Sequence, residues 1–167
     1  MSFDKVFGSV DIEGKNIITR EAARMVVKKD GKYLMISTKR GDLIFPGGGA
    51  EGEETQKEAA IRELREETGY ECVGVPECLG RVVTRRKDQF EEGGIFESVM
   101  NYFISDVHEE QREQILSENE VKYQIEPVRA SRKDILVRNK AYAQSIDNSD
   151  VWVEMIEFIL EYVKDKE

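Results

Sequence analysis

Three glutamates in one short stretch have the type and spacing expected of metal ligands. Glu63 stands three residues before Glu66 and four before Glu67. Because an α-helix turns by about 100° per residue, positions with this spacing project from the same side of it. Carboxylates this close repel one another in an isolated helix, so they need open water or a counter-charge. Mg²⁺ prefers oxygen ligands, and the cluster therefore points to a site for a hard divalent cation.

The helix that must carry these glutamates has clear start and stop signals. Thr55 followed by Glu58 fits a capping box, and Gly69 supplies the left-handed residue expected just after a helix. Between these ends, small or apolar residues fall on one side of the helix, where they can pack on a core. These residues are Ala60, Ile61, Leu64 and Thr68. The pattern predicts a helix whose carboxylates border a core, directly after the triple glycine Gly47–Gly49.

The residues around the glutamates resemble the signature of the Nudix hydrolase family. That signature is a glycine, five residues, a glutamate, seven residues, then Arg-Glu-hydrophobic-x-Glu-Glu-x-Gly-hydrophobic. Every defined position is matched, by Gly48, Glu54, Arg62, Glu63, Leu64, Glu66, Glu67, Gly69 and Tyr70. A match at this many fixed positions is far more specific than a short glycine motif.

The resemblance implies an enzyme that hydrolyses the diphosphate linkage of a nucleoside diphosphate joined to another group. A nucleoside triphosphate or a nucleotide-sugar-like substrate stays open, because the downstream markers of several subfamilies are missing. For example, Thr84-Arg85-Arg86-Lys87 occupies the region where ADP-ribose hydrolases of the family carry a proline. The implied cofactor is Mg²⁺, with Mn²⁺ as the alternative.

The resemblance also assigns roles within the signature. Glu63 and Glu67 are the expected metal ligands, and Glu66 is a further ligand. A backbone carbonyl of Gly47 or Gly48 is expected to add one oxygen to the site.

Two other residues of the signature are expected to support the site. In this family, a pair equivalent to Glu54 and Arg62 commonly ties the glycine loop to the helix and orients the carboxylates. The general base is less defined, because family members use either a glutamate of the signature or an acidic residue in a distant loop. The catalytic candidates are therefore Glu66, Glu118 and Glu120, with a solvated loop as the alternative interpretation for the last two.

Cationic residues near the signature are candidates for binding substrate phosphate. Lys39 and Arg40 precede it closely enough to reach a phosphate. Arg85 belongs to the clearest basic cluster of the chain, which also contains Arg81, Arg86 and Lys87. A solvated strand edge is the alternative for that cluster.

Composition narrows the class of partner. The chain has 167 residues and a net charge of −9, which disfavours binding to nucleic acid or to an anionic membrane. We expect a small nucleotide as the partner, and either a monomer or a homodimer. Two cysteines, Cys72 and Cys78, and no secretory signal favour a reducing cytoplasm.

The flanking pattern predicts a compact mixed domain. Asp30-Gly31 between Ala22–Lys28 and Lys32–Ser37 is typical of a hairpin turn. Val6–Val10 and Lys15–Thr19 are interpreted as a second, smaller hairpin.

Three further helical segments are predicted downstream, one of them a short helix that begins at Ser131 or Asp134 and reaches about Arg138. A helical turn is expected around Glu110–Leu116, and the last helix has an apolar stripe. The stripe consists of Val151, Met155, Ile156, Ile159, Leu160 and Val163. With the resemblance, these elements imply a Nudix-type α/β/α sandwich with a mixed β-sheet, formed as a single domain by residues 1–167.

A function from a different class must be weighed against the enzyme. Some proteins with this fold sense a nucleotide, or regulate in response to it, without turnover. Such modules usually lose one of the metal-binding glutamates. Since Glu63, Glu66 and Glu67 are all present, the sequence favours the enzyme.

Overall fold

The computed structural model describes residues 2–8, 10–146 and 149–166. The strands are β1 Phe3–Phe7, β2 Ile17–Val26, β3 Lys28–Lys29, β4 Lys32–Ser37, β5 Leu43–Ile44, β6 Gly47–Gly48, β7 Glu77–Lys87, β8 Ile95–Ile104 and β9 Glu126–Ser131. The helices are α1 Gln56–Thr68, α2 Glu118–Lys122, α3 Arg132–Ala143 and α4 Ser149–Tyr162. In the described part of the chain, no helix has both the length and the apolar character needed to cross a membrane.

The strands form a mixed sheet and a smaller antiparallel one. The larger sheet has five strands in the order β1-β7-β8-β2-β6. Its pairs β1–β7 and β2–β8 are parallel, whereas β7–β8 and β2–β6 are antiparallel. In the smaller sheet, β9 pairs with one edge of β4, while β3 and β5 pair with it on the other side. The predicted mixed sheet is confirmed.

Two apolar cores lie on opposite faces of the larger sheet. Because side chains alternate along a strand, Val26 of β2 joins a core that includes Ile159 of α4. Its neighbour Met25 joins the other core, which includes Leu64 of α1. The sheet is thus covered by α1 on one face and by α4 on the other, and the predicted α/β/α sandwich is confirmed.

The helix with the three glutamates begins and ends as its local signals predict. The Thr55 hydroxyl accepts a hydrogen bond from the Glu58 N–H at 3.2 Å, and the Glu58 carboxylate accepts one from the Thr55 N–H at 2.8 Å. Gly69 follows the helix with a φ of 78°. Both ends of α1 are therefore fixed by contacts within a few residues of sequence.

The two predicted hairpins have different outcomes. Asp30 and Gly31 both have positive φ, 52° and 72°, and they connect β3 to β4 in the predicted antiparallel pair. The hairpin predicted between Val6–Val10 and Lys15–Thr19 is wrong. The strands at these places, β1 and β2, run parallel to the distant strands β7 and β8. Parallel partners far away in sequence leave no local signal.

The helical turn predicted around Glu110–Leu116 is also wrong. The chain there has no helix, and its N–H groups reach across to α1 instead, as in the bond of 2.8 Å from the Ile115 N–H to the Glu66 carbonyl. The helix of this region comes later, at α2, where Ser117 is the N-cap. Tertiary contacts with α1 override the local preference for a helical turn.

Gly69 provides a test of how closely the segment before α2 packs on the end of α1. A Cβ added at Gly69 would collide with the Arg112 carbonyl oxygen, and the φ of 78° is strained for other residues. We expect Gly69→Ala to lower the free energy of unfolding by more than about 2 kcal/mol in urea denaturation. Gly74→Ala is the matched control, because Gly74 has a φ of 70° with nothing within 4 Å of an added Cβ. It should cost about 1 kcal/mol, and equal losses for the two variants would contradict the close packing.

Candidate metal centre

Three carboxylates converge where α1 approaches α2. Oxygens of Glu63, Glu67 and Glu120 all lie within 4.8 Å of one another. Glu63 and Glu67 are buried, with 9% and 5% of their surface exposed, and Glu120 is half-buried. The structure therefore brings together two of the predicted metal ligands and one of the predicted bases.

The glycine loop lies directly against two of these carboxylates. The Gly47 N–H donates a hydrogen bond of 2.8 Å to Oε2 of Glu67. A Cβ at Gly47 would collide with the Ala23 carbonyl, and a Cβ at Gly48 would collide with the Glu63 carboxylate. Gly47 needs glycine because an added Cβ would meet backbone atoms and its φ is 149°, whereas a Cβ at Gly48 would displace the Glu63 carboxylate from its place beside the loop.

Arg62 connects the glycine loop to the helix. Its Nε and Nη2 donate to the two carboxylate oxygens of Glu54 at 2.9 and 3.0 Å, and Nη2 also donates to the Gly49 carbonyl at 2.9 Å. Its Nη1 donates to Glu63 at 2.9 Å and to Glu66 at 3.0 Å. Hydrogen bonds from Arg62 hold the pKa of Glu54 below its usual value. This geometry agrees with a supporting role for Arg62 and Glu54, which stays a prediction.

The remaining acidic candidates lie outside the convergence. The Glu66 carboxylate is directed to Arg62, and Glu118 is exposed at the start of α2. Glu120 is held in place by a capping box, in which its Oε2 accepts a hydrogen bond of 2.6 Å from the Ser117 N–H. The metal-binding role of Glu66 and the catalytic roles of Glu66, Glu118 and Glu120 stay predictions.

Burial raises the pKa of two carboxyls of this group, those of Glu63 and Glu67. It raises the pKa of Glu67 to about 8, and the nearby Glu63 and Glu120 add to the rise. The Arg24 charge and the Gly47 N–H oppose it. Burial also raises the pKa of Glu63, against the hydrogen bond from Arg62. The charged forms of these buried carboxyls are therefore disfavoured. A hard divalent cation such as Mg²⁺, which prefers oxygen ligands, would stabilise them.

Arg24 is a residue of the site that the sequence analysis did not identify. Its Nη1 donates to the Gly47 carbonyl at 2.7 Å and to the Phe45 carbonyl at 3.1 Å. The Gly47 oxygen, one of the predicted metal ligands, is thus already engaged, and its coordination of a metal stays a prediction. A possible signal was present, because Arg24 is the one charged residue in the stretch Ala22–Val27.

The three predicted phosphate-binding residues have different surroundings. Arg40 donates from Nη1 to the Tyr142 hydroxyl at 3.2 Å, and Lys39 and Arg40 both lie over the Tyr123 ring. Arg85 instead forms an ion pair of 2.8 Å with Glu97. Binding of phosphate by any of the three stays a prediction.

A cavity of about 550 Å³ opens between the larger sheet and the first turns of α4. Phe96 of β8 and Trp152 of α4 contribute aromatic walls, while Arg40 and Arg86 contribute positive charge. The Arg86 guanidinium lies 4.6 Å from the centre of the Phe96 ring. An aromatic cavity with cations is suited to a ligand that has a flat ring and phosphate groups.

Comparison with known proteins identifies related sequences and folds. The profile of the NUDIX domain matches residues 18–144. A Caenorhabditis elegans protein, provisionally named nudix hydrolase 2, is 30% identical over 152 residues, which cover 85% of this chain and 60% of that protein. The CTP pyrophosphohydrolase of Escherichia coli is 39% identical over 57 residues, which cover 31% of this chain and 42% of that enzyme. The chain thus spans less than two thirds of the length of each of these relatives.

A solved structure shows the same fold. The NUDIX hydrolase from Nitrosomonas europaea superposes with a TM-score of 0.58 at 21% identity, and the match covers 89% of this chain and 90% of that one. At this level of identity, the similarity concerns the fold alone.

The raised pKa of Glu67 predicts how stability changes with pH in metal-free protein. The folded state holds its proton up to about pH 8, whereas an unfolded glutamate releases it near about pH 4.3. Since the folded state binds more protons within this window, the free energy of unfolding falls as pH rises through it. Urea denaturation in chelator from about pH 5 to about pH 8.5 measures this slope.

Glu67→Gln is the control for this experiment, because the amide has the same size but does not titrate in this range. It should reduce the slope, leaving the smaller contribution of Glu63 in the same direction. An unchanged slope in the variant would show that Glu67 does not carry the buried proton.

Proposed function

The chain belongs to the Nudix family, and from that membership we propose that it is a divalent-cation-dependent pyrophosphohydrolase of nucleoside diphosphate derivatives. One observation carries the proposal. Glu63, Glu67 and Glu120 converge within 4.8 Å beside the glycine loop. A group of carboxylates with two buried members suits a cation that also binds phosphate oxygens.

Each residue of the centre has a proposed task. Glu63 and Glu67 hold the cation, Mg²⁺ or alternatively Mn²⁺, and Glu66 is a further ligand through water. Bound Mg²⁺ supplies charge that offsets the developing negative charge of the diphosphate and lowers the pKa of the attacking water. Arg62 and the glycine loop keep the carboxylates in place through the hydrogen bonds described above.

Glu120 is the proposed acceptor of the proton from the attacking water. Of the three catalytic candidates, Glu66 is directed to Arg62 and Glu118 is exposed. The position of Glu120 beside Glu63 and Glu67 supports its choice, because a general base must lie within reach of the water it activates. Its negative charge also adds to the attraction of the cation.

The aromatic cavity lies on the α4 face of the larger sheet, and its lining includes none of the three carboxylates. Arg40 links the two places, because it lines the cavity and also lies over the ring of Tyr123, which directly follows α2. We propose this cavity as the recognition site for the nucleoside of the substrate. Its volume of about 550 Å³ is in the range of small-molecule sites. We propose that Phe96 and Trp152 contact the base, and that Arg40, with Lys39, binds a phosphate. A nucleoside triphosphate is the first choice, in line with the name of the Escherichia coli relative, CTP pyrophosphohydrolase. A nucleotide sugar is the second.

The function is tested on a panel of CTP, the other nucleoside triphosphates, UDP-glucose and ADP-ribose, each with Mg²⁺. We expect release of nucleoside monophosphate from at least one of them. Glu67→Gln should lower kcat by at least about 100-fold, because it removes a ligand charge but little volume. Tight binding of one nucleotide without turnover would instead favour a sensing or regulatory module.

Glu120 and Glu118 form a matched pair of variants for the same assay. Glu120→Gln should lower kcat by about 100-fold or more, whereas Glu118→Gln should stay within about 2-fold of the unmodified protein, because Glu118 is exposed. If Glu120→Gln retained full activity, the choice of proton acceptor would be wrong. Circular dichroism checks that both variants are folded.

Other parts of the proposal rest on packing and composition. We propose one domain over residues 1–167, because elements outside residues 18–144 pack on the same core. For example, the rings of Phe3 and Phe158 meet edge to face, with their centres 5.2 Å apart. A cytoplasmic location, a small nucleotide rather than nucleic acid or membrane as partner, and a monomeric or homodimeric state stay predictions from composition.

A further inference from the structure

The chain that leads from β8 to α2 is bound along the end of α1. The last carbonyls of a helix have no partner within the helix itself. Here residues 111–115, which we call the capping segment, supply donors to the carbonyls of four successive residues, Glu66 to Gly69. The bonds are Ile115 N–H to Glu66 at 2.8 Å, Gln114 Nε2 to Glu67 at 2.5 Å, Gln111 Nε2 to Thr68 at 3.0 Å, and Arg112 N–H to Gly69 at 2.9 Å.

Gln114 differs from the other donors because its amide contacts two separate parts of the chain. Its Nε2 donates to the backbone carbonyl of Glu67, and the side chain of Glu67 is one of the three convergent carboxylates. The same nitrogen lies 3.4 Å from the carbonyl of Ile125, which follows α2. One half-buried amide thus connects the last turn of α1 to the chain on the far side of α2.

The helix α2 depends on such connections for its position. It has only five residues and buries none of them. A helix this short is unstable on its own, and without buried side chains it gains little from packing. Yet α2 carries Glu120, whose carboxylate must be placed accurately beside Glu63 and Glu67. The position of Glu120 is therefore restrained by contacts at the two ends of α2. Before α2 these are the bonds of the capping segment to α1, and after it they are the bond of 3.0 Å from the Lys39 N–H to the Tyr123 carbonyl and the buried side chain of Ile125.

We propose that Gln114 is a positioning residue, which fixes Glu120 relative to the two carboxylates of α1 by joining the chain on both sides of α2 to the end of α1. This inference rests on the cation site of the proposed function. Because Gln114 acts through Glu120, its contribution to cation binding must disappear when Glu120 no longer carries a charge. Supporting residues of this kind typically contribute 10- to 100-fold, roughly, to metal affinity or activity.

A double-mutant cycle on cation binding tests the proposal without nucleotide. Mn²⁺ affinity is measured by electron paramagnetic resonance for the unmodified protein, Gln114→Met, Glu120→Gln and the double variant. Methionine keeps the length of the side chain but donates no hydrogen bond. Gln111→Met is the matched control, because Gln111 also caps α1 but bonds to the Thr68 carbonyl.

We expect Gln114→Met to weaken Mn²⁺ binding by about 10-fold, and by less than about 2-fold when Glu120→Gln is already present. Gln111→Met should weaken it by less than about 2-fold. Equal effects of the two glutamine variants, or the same loss from Gln114→Met in the Glu120→Gln background, would overturn the positioning role. If Gln114→Met does not fold, Gln114→Ala replaces it in the cycle, since its smaller side chain leaves room for water at both carbonyls.

The cycle also separates this inference from the function on which it rests. If Glu67→Gln and Glu120→Gln both left Mn²⁺ affinity unchanged, the cation site itself would be absent, and the proposed function would fail together with the role of Gln114. If those two variants weakened binding while Gln114→Met did not, the positioning role alone would fail.

Discussion

Mutual repulsion among Glu63, Glu67 and Glu120 is the constraint on which the rest of the site depends. Their oxygens lie within 4.8 Å of one another, and burial raises the pKa of Glu67 to about 8. Close carboxylates in a poorly solvated place are unfavourable unless they bind protons or a cation. The protein therefore holds a group of acids in an arrangement that a divalent cation would stabilise, and this is the physical basis of the proposed phosphate chemistry.

The surrounding structure keeps these carboxylates together against their repulsion. Arg62 bonds to Glu54, Glu63 and the loop at once, and Arg24 bonds to the Gly47 carbonyl on the other side. Both arginines place positive charge near the acids, Arg62 near Glu63 and Arg24 near Glu67. The capping segment then brings α2, and with it Glu120, to the end of α1. Arg62 acts within the signature, whereas Arg24 and the capping segment reach the site from parts of the chain that are distant in sequence. The complete site therefore depends on contacts from outside the signature.

The difference between local and distant contacts also explains which parts of the fold and the site could be predicted from the sequence. The bounds of α1 were predictable, because Thr55, Glu58 and Gly69 act within one or two turns. The grouping of Glu63 with Glu67 followed from helical spacing for the same reason. The partners of β1 and β2 were not predictable, since parallel strands pair with segments far along the chain. Arg24 was missed because its role depends on the folded position of the Gly47 carbonyl.

The role of Glu120 was only partly predictable from the sequence. The sequence placed it among the candidate bases but could not rank it above Glu118, because the choice depends on which of them faces α1 in the folded protein. One local signal was available and was not used. Ser117 followed by Glu120 has the spacing of a capping box, and that motif begins α2 and fixes the Glu120 carboxylate. A helical turn was wrongly predicted in the segment before it, because the donors of that segment bond to α1 rather than within a helix of their own.

A crystal structure of the protein grown with Mn²⁺ and a non-hydrolysable nucleotide would test the cation site most directly, since anomalous scattering locates the ion independently of the protein atoms. We predict an anomalous peak between Glu63 and Glu67, within roughly 2.0–2.3 Å of an oxygen of each, with Glu120 facing it. A well-ordered nucleotide with no peak there, and with the two carboxylates turned away toward Arg62 and Arg24, would contradict it.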